Sequence, residues 1–190
     1  MSLIAMQGGA TGTGTVTLLA PVTNTNRTLT LPDATGTVLT NATTTGFPAG
    51  SVLQVVNASY STLSSRSSST YADTGLTASI TPTSASSKIL VFVNHAGCGK
   101  ETNNTNLLLK LLRNSTDLIE FEKIGGFTSS TAANYFGSCS TCYLDSPSTT
   151  SATAYKTQFA SGGNNAIVYL QSALSGGGSV STITLMEIAA

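Results

Sequence analysis

The chain has 190 residues, 8% of them charged and 40% hydrophobic, and its basic and acidic side chains balance to a formal net charge of zero. That balance removes any electrostatic case for nucleic acid or an anionic membrane surface, and the recurring β-branched and aromatic residues exclude a disordered chain. Ser, Thr, Asn and Gly stand where an ordinary globular protein carries charge, a composition suited to half-buried strands and the turns between them. No window has the periodicity of a long amphipathic helix, so an all-β protein is predicted.

The opening residues 1–7, MSLIAMQ, hold a short apolar patch at Leu3, Ile4 and Met6 with no basic segment before it, and read as a docking peptide rather than a secretory signal. No apolar run approaches the roughly 18 residues of a membrane span, so folding in a cytoplasm without membrane insertion is expected. Residues 8–48 contain three short strand candidates, Thr15–Leu19, Arg27–Leu31 and Thr37–Thr40, with a turn at Pro32, Asp33 and Gly36. Each strand has few inward residues, too few to bury a stable core in one chain. The segment makes physical sense if identical chains lie side by side and share the hydrophobic row. Phe47 before Pro48 is held extended and marks a hinge.

Residues 49–190 read as one domain of successive strands. Up to residue 84 the only charges are Arg27, Arg66, Asp33 and Asp73, and the rest follow from Lys88 onward. Strands are predicted at 51–57, 76–81, 88–94, 106–113, 117–122, 152–160, 166–172 and 181–188. KILVFVN at 88–94 is nearly all apolar, the pattern of a strand covered on both faces. NLLLKLLR at 106–113 would suit a helical face, but it is short and bounded by turn residues, and is read as a strand. In 152–160 alternation puts Tyr155, Thr157 and Phe159 on one face. Short strands at this spacing predict a sandwich or barrel.

Chemistry-bearing residues are few. His95 and Cys98 in HAGC, with Cys139 and Cys142 in CSTC, form the one set with zinc-ligand spacing. Residues three apart on a straight strand point to opposite faces, and CSTC reads as continuing strand, so buried thiols and a hydrogen-bonded histidine are preferred. No metal or other cofactor is expected. Glu120 and Glu122 alternate with Ile119 and Phe121, which would put two carboxylates on one face about 6.6 Å apart, near the separation used by inverting glycosidases. A solvated strand face gives the same pattern. Tyrosines in Ser/Thr/Asn-rich loops suit sugar or protein contacts. The candidate outer loops are 64–75 and 127–137, with Arg66, Tyr71, Asn134 and Tyr135 as candidate receptor contacts.

The phrase TLTLPDATGTVLT, followed by GFPAGSVLQVV and a Ser/Thr-rich domain containing SSSTYADTGLTASITP, LLRNSTDLIEF and CSTCYLDSPSTTSATAYKTQFASG, resembles tail-fibre or virion-fibre proteins of bacteriophages, notably those of marine cyanophages. The resemblance covers nearly the whole chain, and its motifs are structural. It implies a non-enzymatic homotrimer with a short intertwined β shaft at 8–48 and a jelly-roll-like β-sandwich head at 49–190. It further implies assembly onto the virion through the N-terminal anchor residues and presentation of the head to a host-surface glycan or protein. Only about a dozen residues precede the first predicted shaft strand, so a capsid fibre or a tail accessory protein fits the length equally well. A structural or decorating protein that binds other virion proteins only is the alternative.

Overall fold

The structure, a computed structural model that describes residues 47–172 and 178–190, contains only strands as regular elements among those residues. In chain order they are β1 (Val52–Tyr60), β2 (Ser64–Arg66), β3 (Ala72–Ile80), β4 (Lys88–Lys100), β5 (Thr105–Arg113), β6 (Thr116–Gly125), β7 (Asn134–Asp145), β8 (Thr153–Gly163), β9 (Val168–Leu170) and β10 (Ser181–Ile188). The predicted anchor, with Leu3, Ile4 and Met6, lies outside the described residues, as does the predicted shaft except for its last two positions. No helix among the described residues is long and apolar enough to cross a membrane.

The strands form two antiparallel sheets, as in a β-sandwich. A six-stranded sheet runs β1-β10-β4-β9-β2, with β7 paired along β4, and a four-stranded sheet runs β3-β8-β5-β6. Alternation explains the core between them. The inward residues of β3 are Thr74, Leu76, Ala78 and Ile80, and those of β8 include Tyr155, Thr157 and Phe159, as the sequence predicts. They meet Ile89, Val91 and Val93 of β4 and Ile183 and Leu185 of β10. A second cluster beside it gathers Leu107, Leu109, Phe159, Val168 and Leu170.

β4 organises the head. Its first half pairs with β10 through Lys88–Asn94, and its last two residues pair with β9. Between them Gly97, at φ +63°, makes a bulge, and the backbone N–H groups of Gln171 and Ser172 donate to the carbonyls of Ala96 and Gly97. The expectation that 88–94 is covered on both faces is not met within the described chain. Ile89, Val91 and Val93 are buried, whereas Leu90 is half-buried and Phe92 is exposed, because the other sheet packs on one side only.

Three charged side chains are drawn inside: Asp145 of β7, which accepts from Arg113 Nη1 and the Tyr155 hydroxyl, Glu187 and Lys100. Glu187 of β10 is fully buried and accepts from Gln54 Nε2 at 2.6 Å and from the Thr83 backbone N–H and Oγ1 at 2.7 Å each. Burial opposes its charge, but these hydrogen bonds win and hold the carboxyl below its ordinary value. Lys100 ends β4 fully buried, and its Nζ donates to the carbonyls of Thr102 and Thr131 and to Thr128 Oγ1. Burial lowers its pKa, while the three oxygens tie the loop before Asn134 to the sheet.

Candidate functional site

The chain enters at one end of the sandwich. Gly50 N–H donates to the Ala189 carbonyl, and Ala189 N–H donates back to Ser51, beside the pairs Val52–Ile188 and Ile188–Lys88. At the opposite end of β4, Gly99 is flanked by Tyr135 of β7 and Tyr169 of β9. The two rings are nearly parallel, at 17°, with centroids 6.3 Å apart. A methyl group on Gly99 would lie 2.7 Å from the Tyr135 ring, so the missing side chain is what lets that ring lie across the strand. Tyr135 is 48% exposed, and Ser65 sits beside Tyr169 in the neighbouring strand. The result is an uncharged aromatic platform edged by hydroxyls, chemistry that stacks on sugar rings or on protein side chains.

Of the expected contact residues, Asn134 and Tyr135 belong to this platform, and Arg66 stands one residue from Ser65 with its Nε donating to the Thr70 carbonyl. Asn134 Nδ2 donates to the Gly126 carbonyl, which steadies the start of β7. Tyr71 lies elsewhere, over the outer face of the four-stranded sheet. Its hydroxyl donates to Glu120 Oε1 at 3.0 Å, and Lys110 Nζ sits 4.4 Å from its ring centroid. Burial and the Glu120 carboxylate raise its pKa, so it stays a phenol. Sequence reasoning misses Tyr169. Its pairing with Tyr135 depends on strand register, and the sole local signal is glycine at position 99.

The histidine and cysteines do not converge on a metal site. His95 is fully buried between the sheets, where its Nδ1 accepts from Gln171 Nε2 at 3.4 Å. That leaves the proton on Nε2, which donates to Thr157 Oγ1 at 2.9 Å, and Thr157 in turn meets Thr74 Oγ1 at 2.6 Å. Cys98 and Cys139 are buried against each other, and Cys142 faces the other way and is exposed, as alternation requires. The hydrogen bond with Cys98 and burial both raise the Cys139 thiol, which keeps it protonated. Among the described residues no three of His, Cys, Asp and Glu are placed to hold a metal ion.

The expected carboxylate pair is also absent, and the register gives the reason. Leu109 opposes Glu122 while Lys110 opposes Glu120, so Phe121 is an extra residue in a bulge. The bulge turns the two carboxylates apart. Glu122 Oε1 accepts from the backbone N–H groups of Lys123 and Ile124, and its Oε2 lies 3.7 Å from Cys139 Sγ. Glu120 pairs with Lys123 at 2.6 Å, and that contact, with Tyr71, lowers its pKa. A general acid for glycoside hydrolysis needs the opposite shift.

The two outer faces differ in charge. The four-stranded sheet carries Asp73 with Lys156, Lys110 with Asp117, and Glu120 with Lys123. On the six-stranded sheet Val55, Met186, Leu90 and Leu144 form one row across four strands, and Asn57, Thr184, Phe92 and Cys142 form the next. A shallow depression of about 430 Å³ lies on this face, with Phe92, Cys142 and Thr184 among its lining residues. Neither the protein-family models nor the curated proteins give a match to this chain.

Proposed function

We propose that the protein is a trimeric phage virion fibre whose head attaches to the host surface, with a jelly-roll-like arrangement of the two sheets. The observation that carries this reading is the polarity of the head. The chain enters beside Ala189, and the exposed Tyr135–Tyr169 platform lies at the far end of β4, about 40 Å away at the standard strand rise. A protein anchored through its N-terminal residues 1–7 would hold that platform outward. The resemblance of residues 28–40 to phage fibre shafts supports the fibre reading. The mechanism is multivalent: a weak contact per platform becomes firm attachment when three chains engage together.

The test is competition for adsorption. Purified protein is expected to block attachment of the phage to susceptible cells. Tyr135→Ala and Tyr169→Ala are each expected to weaken blocking by roughly tenfold or more, the range of an exposed aromatic anchor amplified by valency. Wild-type protein that leaves adsorption unchanged would overturn the attachment role and leave a decorating protein that binds other virion proteins only.

A further inference from the structure

We infer that the outer face of the six-stranded sheet along the first half of β4, at the end away from the Tyr135–Tyr169 platform, is where copies of this chain meet. This rests on the proposed trimer, and names the surface it uses. The row Val55, Met186, Leu90 and Leu144 and the neighbouring Phe92 and Cys142 put apolar side chains side by side across four strands. Val55 is 55% exposed, Leu144 50% and Phe92 41%, and the half-buried Met186 and Leu90 between Val55 and Leu144 join them into a patch, unlike scattered surface leucines.

Three observations select a second copy as the occupant. The first is charge. The opposite outer face is laced with ion pairs, as a solvated surface should be, whereas these two rows carry no charge at all. A face that meets its own copy must not repel itself, and an uncharged one satisfies that condition in any register. The second is β4 itself, whose sequence is that of a strand covered on both faces while the described residues cover only one. The third is size. Four strands about 4.8 Å apart and four outward rows about 6.8 Å apart, the outermost being the Lys88 row, give a face on the order of 500 Å² per copy, shared between its two neighbours about a threefold axis, so a trimer would bury on the order of 1,500 Å² in all.

Cys142 is a built-in reporter. Of the three free thiols it alone is exposed in the single chain, and it stands beside Phe92 on this face. The experiment measures, on the full chain, the mass by light scattering and the number of thiols that react with an aromatic disulfide reagent before and after denaturation. A trimer with no thiol reacting until it is denatured is the expected result. A trimer in which one thiol reacts freely, and does not in Cys142→Ser, would overturn this face while leaving the trimer standing. A monomer would overturn both. Leu144→Glu is expected to strip the protection from Cys142 even where other contacts keep the mass trimeric, whereas Ser79→Glu on the opposite outer face should leave it intact. Unchanged protection in Leu144→Glu would also overturn the inference.

Discussion

His95 shows how a single buried group sets a pH dependence. Its ring stacks on Phe121 at 6.5 Å, and both of its nitrogens are committed to neutral partners, Gln171 and Thr157. Burial pushes its pKa from 6.5 down to about 4. The folded value lies below the unfolded one, so between those limits the unfolded chain takes up a proton that the folded chain refuses. The contribution is therefore complete above about pH 6.5 and is lost as pH falls toward 4, by at most about 3 kcal/mol. Asp73 and Glu187 are depressed carboxyls and add their loss only below the ordinary carboxylate range. Denaturant midpoints for wild type should thus drop between about pH 6.5 and pH 4.5, and His95→Gln should flatten that part of the profile. An equal drop in the variant would contradict the assignment.

At the scale of elements, the bulges explain both the stability and the legibility of the fold. Gly97 sits where β4 passes from β10 to β9, and an added Cβ would lie 2.4 Å from the Ser172 carbonyl oxygen. That neighbour is backbone and cannot swing away, because Ser172 is itself bonded to Gly97 through both N–H and Oγ. Gly97→Ala is expected to cost roughly 2–4 kcal/mol by thermal or urea unfolding, and a loss within about 0.5 kcal/mol would refute this reading of the bulge. β3 and β8 are legible because their buried residues alternate with period two from Thr74 to Ile80 and from Thr153 to Phe159, even though β3 carries extra residues against β8 between Asp73 and Thr77. β6 is not. Extra residues at Leu118 and Phe121 each flip the facing of the residues after them, so the Glu120–Glu122 pair inferred from simple alternation does not exist. The three-residue β2 is too short to show a pattern, and its strand partner is β9. The Tyr135–Tyr169 platform is half visible: Tyr135 can be named from its loop, but Tyr169 joins it only through the register of β4.

For the whole molecule, the asymmetry between the two outer faces is the fact that needs a cause. A solitary sandwich has no reason to place three ion pairs on the outer face of one sheet and leave Val55, Phe92 and Leu144 open on the other. Half of that cause is already visible in the sequence, because residues 8–48 have strand-forming side chains without enough of them to bury, and 88–94 has apolar residues for two faces. The described residues leave the second surplus uncovered, and neighbouring copies would account for both. The measurement that tests this most directly is the native mass of the full chain in solution by light scattering. Three times the 19.3 kDa of one chain is the expected result, independent of dilution over the working range. A stable mass of 19.3 kDa would contradict it, and with it the reading of the protein as a self-assembled fibre.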